Sequence, residues 1–369
     1  MDKQSIFNKM VELGASDLFV TAGLCVSIKL HGELTAIGAN VLTPDQAKEL
    51  VKSCMSDKQI AEFEQTRECN FAIANEAGRF RISAFWQRDN VGMVARRIVT
   101  DIPKAEDLGL PQTLKDVIMS KRGLVLFVGG TGTGKSTSLA ALLGYRNEHS
   151  KGHILTIEDP IEFVHEHKNC IVTQREVGID TPSFDSALKS SLRQAPDVIL
   201  IGEIRSQAIM EYALSFAETG HLCVATLHAN NANQAIDRIM HLVPKELHEK
   251  LKFDLALNLK AIVAQQLVPT TDGTGRAAAI EVLLNSPMVA ELIKQGEISG
   301  IKEVMEKSVE MGMQTFDQAL FELYKAKKIT YDNALHHADA PNDLRLKIKL
   351  ADKDLGGSSA LDGVTIDGL

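Results

Sequence analysis

The run Gly123-Leu-Val-Leu-Phe-Val128, followed at once by Gly129-Gly130-Thr131-Gly132-Thr133-Gly134-Lys135-Ser136-Thr137, decides how this chain is read. Six residues apolar on both faces suit a strand buried inside a sheet. The next eight fit the pattern G-x-x-x-x-G-K-[ST], and the stretch from Thr137 to Tyr145 reads as a helix. Glycines let such a loop turn tightly, so that its N–H groups surround phosphate oxygens while the helix N-terminus adds partial positive charge. Lys135 then reaches the β- and γ-phosphates of ATP, and the Ser136 hydroxyl serves Mg²⁺. A glycine-rich turn with an incidental lysine is the plainer alternative, and the flanking strand and helix count against it.

Outward from this loop, three further apolar runs have strand length: His153-Ile-Leu-Thr-Ile157, Asp197-Val-Ile-Leu-Ile201 and Leu222-Cys-Val-Ala-Thr-Leu227. Separated by helical stretches, they predict an α/β nucleotide-binding core. After Pro244, residues Leu247, Leu251, Leu255, Leu259 and Ile262 fall on one predicted helix face. A short strand from Ala277 to Leu284 and helices to about Ala338 follow. Upstream, Ser5 to Leu13 reads as a helix and Arg79 to Phe85 alternates with period two, as in a small α+β domain. Pro103, Gly109 and Pro111 mark a connection. The expected organisation is residues 1–100, a linker at 101–113, an ATPase domain over 114–344, and an acidic disordered tail over 345–369.

With 369 residues, 44% of them hydrophobic, the chain can build two cores. No run of 18 apolar residues occurs, and Asp2, Lys3, Lys9, Glu12 and Asp17 stand where a signal peptide needs apolar residues, which predicts a cytoplasmic protein. Five scattered cysteines without a C-x-x-C pair indicate neither a disulfide framework nor a zinc site. A formal net charge of −8 disfavours a nucleic-acid ligand.

A P-loop enzyme needs carboxylates to place Mg²⁺ and the attacking water. Two candidates end strands: the segment Glu158-Asp159-Pro160-Ile161-Glu162, and Glu203 after Gly202. Either could instead be a solvated loop acid. Thr219-Gly220-His221 and Thr226-Leu227-His228 bracket the last of the four runs; the histidines are either hydrogen-bonded structural residues or sensors of the γ-phosphate. Arginines gather at positions 79, 81, 88, 96 and 97, and chemistry alone selects none of them.

Taken together, the segments resemble the secretion-type ATPases of the type IV pilus, in the PilT/PilU retraction branch, over about Ser5 to Asp339. The marks are Gly14-Ala-Ser-Asp-Leu18, the P-loop, Ile157-Glu-Asp-Pro-Ile-Glu-Phe163, Gln174-Arg-Glu176, Gly202-Glu-Ile-Arg205, Thr219 to Asn230 and Gly312-Met-Gln-Thr-Phe-Asp317. The resemblance implies a PAS-like α+β N-terminal domain, a RecA-like ATPase domain with a C-terminal helical region, and a homo-hexamer in which each N-terminal domain packs on a neighbour's core. It also implies a motor at the cytoplasmic face of the inner membrane, passing rotation to a pilus platform protein. Glu162 then becomes the water-activating base and Glu203 the acid assisting Mg²⁺. His221 and His228 become the histidine-box residues, and Arg81 and Arg96 the arginines that reach a nucleotide.

Where PilT-type chains carry Ala-Ile-Arg-Asn-Leu-Ile, this sequence has Met288-Val-Ala-Glu-Leu-Ile293. That departure and the acidic tail resemble the accessory side of the branch, which works beside a PilT-like paralogue ring. Ser206 stands where the family commonly has an aspartate, and the cysteine cluster of the zinc-containing extension ATPases is missing. Two other readings stand beside the motor: a RecA-like nucleic-acid translocase, and a non-motor ATP-binding regulator of a partner ring. A GTPase is disfavoured because no Asn-Lys-x-Asp segment is present.

Overall fold

A computed structural model describes residues 2–30, 33–98 and 101–354. The chain divides into two compact units. The first takes the N-terminal stretch to Ile102 together with Thr156–His167 and Val172–Arg193; the second takes Pro103–Leu155, Lys168–Ile171 and the chain from Gln194 onward.

The N-terminal stretch begins with α1 (Lys3–Glu12), β1 (Asp17–Thr21), β2 (Cys25–Leu30) and β3 (Glu33–Val41). It continues with α2 (Pro44–Ser53), α3 (Asp57–Thr66), β4 (Glu68–Asn75), β5 (Gly78–Gln87) and β6 (Asn90–Ile98). The six strands form an antiparallel sheet in the order β3-β2-β1-β6-β5-β4. Period-two alternation sends Phe80, Ile82 and Ala84 of β5 into the core and leaves Arg79 and Arg81 on the other face. α1 covers the core face with Ile6, Phe7 and Met10, and the Phe7 ring centre lies 4.5 Å from that of Phe80. Burying each such phenylalanine contributes about 1.5–3 kcal/mol. α2 and α3 start on capping boxes, Thr43 with Gln46 and Ser56 with Gln59, which satisfy their first N–H groups.

The remaining elements are α4 (Gln112–Ile118), β7 (Gly123–Val128), α5 (Lys135–His149), β8 (Gly152–Glu158), β9 (Cys170–Glu176), α6 (Phe184–Ser191) and β10 (Val198–Ile201). Then come α7 (Gln207–Glu218), β11 (Leu222–Leu227), α8 (Ala232–His241), α9 (His248–Asn258), β12 (Leu259–Pro269) and β13 (Arg276–Leu284). Five helices close the described chain: α10 (Pro287–Gln295), α11 (Ile301–Lys307), α12 (Phe316–Lys325), α13 (Tyr331–His336) and α14 (Pro341–Asp354). The sheet order is β13-β12-β7-β11-β10-β8-β9. β10, β11, β7 and β12 run parallel in that sequence of neighbours, and β13 returns antiparallel to β12. Every residue of β7 and β10 is buried, as their unbroken apolar runs predict.

Two expectations change. Leu259 and Ile262, placed on the helix face begun by Leu251 and Leu255, lie in β12 instead, because α9 ends at Asn258 and its C-cap residue, Leu259, is already extended. The tail expected from residue 345 is helical through Asp354, where Leu344 and Ile348, one turn apart, are 1% exposed. The rest of the expected tail, 355–369, lies outside the described residues.

Candidate nucleotide-binding site

β7 delivers the chain to Gly129, and α5 leaves from Gly134. Two backbone positions in the loop require glycine. At Gly129 (φ +153°) a Cβ would stand 2.6 Å from Thr133 Oγ1 and 2.8 Å from the Gln265 carbonyl oxygen. At Gly134 (φ +85°) it would stand 2.8 Å from Gln265 Nε2. The N-terminus of α5 has no side-chain cap, as at α4, α9 and α11, and its partial positive charge suits an anion. Lys135 Nζ lies over the loop and donates to the carbonyls of Gly129 and Gly130, both at 2.7 Å. Ser136 and Thr137 follow in the first turn of the helix. This cradle fits a nucleotide polyphosphate: narrow glycine turns, a lysine on the loop and an uncapped 15-residue helix.

Gln265 of β12, 3% exposed, donates from Nε2 to the Thr133 carbonyl at 2.9 Å and fixes the loop from the adjacent strand. Sequence reading missed it, because nothing near position 265 announces contact with a loop 132 residues earlier. A recess of about 1050 Å³ opens beside the loop, lined among others by Gly134, Thr137, Gln265, Leu267 and Arg276. On the Gly130 side a second, of about 460 Å³, is lined by His228, Asn230, Asp237, Arg238 and His241.

Because the strands are parallel, β10 and β11 bring their C-terminal ends to the edge where β7 opens into the loop. Glu203 follows β10. Its Oε2 accepts from Arg205 Nε at 2.5 Å, and its Oε1 lies 3.3 Å from His228 Nε2, beyond the end of β11. Ile204 N–H donates to the Thr226 carbonyl at 2.9 Å, and the Thr226 hydroxyl donates to the Gly202 carbonyl. Glu203 is thereby held on a short, doubly tied turn. His221 does not join this group. It precedes β11 at the opposite sheet edge, about 20 Å away over six strand residues. There its Nδ1 meets Thr219 Oγ1 at 3.1 Å and the Phe216 carbonyl at 3.2 Å.

The first unit holds the other expected residues. Glu162 is exposed on the loop after β8, two residues past the cis Asp159–Pro160 bond. Glu158, at the end of β8, accepts from Thr156 Oγ1 at 2.6 Å and Gln174 Nε2 at 3.2 Å. Burial pushes its carboxyl up to about 7, against those two hydrogen bonds and helped by the charges of Glu162 and Glu176. Arg81 and Arg96 are direct cross-strand partners on β5 and β6. Each faces an acid: Arg96 Nε donates to Asp17 Oδ1 at 2.8 Å, and Arg81 Nε lies 3.8 Å from Glu176 Oε1. Arg88 sits apart in the β5–β6 turn. The five cysteines are free thiols, four of them buried.

A buried strand opening through a glycine cradle into a helix, with a fixed carboxylate after a neighbouring parallel strand, defines an α/β P-loop nucleotide-binding protein. Within that class, residues 4–333 match the model for Type II/IV secretion system proteins, and the chain belongs to that family. It is 60% identical to the type IV pilus ATPase PilU of Pseudomonas aeruginosa, over 95% of this chain and 92% of that protein. It is 39% identical to the type IV pilus retractation ATPase PilT of the same organism, over 93% and 100%. The crystal structure of the pilus retraction motor PilT with bound ADP superposes with a TM-score of 0.87 at 37% identity, covering 94% of this chain and 99% of that one. Among the described residues no helix is long and apolar enough to cross a membrane.

Proposed function

We propose that this chain hydrolyses ATP as a subunit of a homo-hexameric ring that powers type IV pilus retraction, working beside a ring of a PilT-like paralogue. The observation that carries the reading is the single sheet edge at which the glycine cradle, Glu203 and His228 meet, in a chain so similar to a pilus ATPase. The loop N–H groups from Gly129 to Thr137 bind phosphate oxygens, and Lys135 exchanges the Gly129 and Gly130 carbonyls for the β- and γ-phosphates. Ser136 and Glu203 would hold Mg²⁺, which would neutralise charge on the phosphates. Glu162 takes the proton of the attacking water. His228 ties Glu203 to the start of α8 and so to the rest of the subunit.

Residues 1–100 form the PAS-like domain, and 114–344 the RecA-like domain. Arg81 and Arg96 offer positive charge to the nucleotide of a neighbouring subunit. His221, at the far sheet edge, serves contact within the ring. The ring works at the cytoplasmic face of the inner membrane, against a platform protein.

Lys135→Ala tests the reading in two places. Purified protein is expected to lose ATP hydrolysis, and cells carrying the variant are expected to lose this chain's contribution to retraction. Loss of hydrolysis with retraction intact would assign the chain a non-motor role in a partner ring.

A further inference from the structure

The loop that carries Glu162 is held from one strand. On β9, Gln174 donates from Nε2 to the Phe163 carbonyl at 2.9 Å, and its Oε1 accepts from His165 N–H at 2.8 Å. Two residues on, Glu176 Oε2 accepts from Ile161 N–H at 3.2 Å. Just beyond, Val177 N–H donates to the Glu158 carbonyl at 2.9 Å. The backbone is therefore pinned at 158, 161, 163 and 165, and Glu162 projects exposed from between two pinned neighbours. Residues 174 and 176 share one face of β9 by the period of two, so one strand face serves as the template for the loop.

Glu176 is an unusual group to use for holding a loop. Its side chain is 0% exposed, and its second oxygen, Oε1, has no hydrogen-bond partner. Arg81 stands 3.8 Å from that oxygen. A carboxylate buried this completely is retained only where a nearby cation compensates it. Burial pushes the Glu176 carboxyl up, while the Ile161 N–H, then Arg81 and Arg79, draw it down.

We propose that Gln174 and Glu176 are positioning residues for Glu162, and that Arg81 completes the device by facing the buried Oε1 of Glu176 while Oε2 holds Ile161 N–H. This rests on the reading of Glu162 as the base. A loop displacement on the order of 1 Å is enough to cost about 100-fold in turnover, so the device acts on kcat. Gln174 and Glu176 leave ATP binding alone, because none of their hydrogen bonds involves residues 129–137.

The experiment is steady-state ATP hydrolysis by the full chain carrying Gln174→Leu, Glu176→Gln or Arg81→Ala, each alone and combined with Glu162→Gln. Gln174→Leu is expected to lower kcat by about 30- to 100-fold with KM for ATP unchanged within twofold. The isosteric Glu176→Gln keeps an acceptor for Ile161 N–H and is expected to retain most activity, which keeps the test valid should Gln174→Leu fold poorly. Arg81→Lys is expected to restore most of what Arg81→Ala loses. In the Glu162→Gln background Gln174→Leu is expected to add no further loss. Equal fold-losses in both backgrounds, or a rise in KM without a fall in kcat, would overturn the clamp and leave Glu162 as base. Full activity of Glu162→Gln alone would remove the base assignment, and the clamp with it.

Discussion

The glycines of the P-loop give a graded prediction, because their surroundings differ. Gly132 has φ +79°, and no atom lies within 4 Å of the position a Cβ would take, so alanine there meets only the left-handed backbone cost. That cost is about 1 kcal/mol, equivalent to about fivefold in affinity. Gly129 is different. Its φ of +153° lies where side chains are rarely tolerated, and a Cβ would meet Thr133 Oγ1 at 2.6 Å and the Gln265 carbonyl at 2.8 Å. Thr133 can rotate, but the Gln265 carbonyl belongs to β12 and is fixed by its ladder. Backbone strain and overpacking together cost about 3 kcal/mol, or about 100-fold in affinity. The free loop relaxes away from the cradle, and nucleotide binding must restore it, so the cost falls on Kd. Titration with a fluorescent, non-hydrolysable ATP analogue measures it, and thermal unfolding separates loop strain from loss of fold. Gly132→Ala binding as weakly as Gly129→Ala would refute the argument from local contacts.

Two further substitutions have definite outcomes. Glu203→Gln removes the charge shared with Arg205 and His228; single-turnover assays should show hydrolysis falling about 100-fold or more, with nucleotide still bound. Glu281, 3% exposed, accepts from Ala232 N–H at 2.7 Å at the start of α8, and burial raises its carboxyl from 4.5 to about 7. A carboxyl raised on folding gives stability below its unfolded value that is lost as pH rises through about 7. Glu281→Gln should therefore unfold at a higher temperature than the parent at pH 8.5, by at most about 3 kcal/mol of stability, with the difference gone by pH 4. An advantage that grows toward acid pH would contradict this.

What could be read from sequence was whatever a short window encodes. Gly123–Val128 and Leu222–Leu227 are strands with the expected ends, since the first contains no polar residue and the second only Thr226 near its end. The same property misled at Leu259 and Ile262: a run buried on both faces has no period, and four-residue spacing carried over from α9 imitated a helix. Residues 345–354 mix charged residues with Leu346 and Leu350, both exposed, and Ile348, which is buried one turn after Leu344, so no short window marks the helix. At the site, the cradle and Glu203 were legible as a motif and a strand end. Gln265 was not, because its contact is made across the sheet. Gln174 and Glu176 stood out only as part of a resemblance, and their grip on the Glu162 loop emerges once β9 is placed beside it.

The row Asp17, Arg96, Arg81, Glu176 sets two neighbouring arginines between two acids, and its two ends are unequal. If Arg96 swings away, Asp17 still holds the Ser16 hydroxyl at 2.8 Å, and Arg96 itself is already 73% exposed. If Arg81 swings away, Glu176 Oε1 is left sealed from solvent without the cation it faces. The buried end of the row therefore depends on its arginine more than the other end does. Two arginines that neighbour each other in register thus differ in kind: one reaches its acid from solvent, the other lies against a sealed carboxyl.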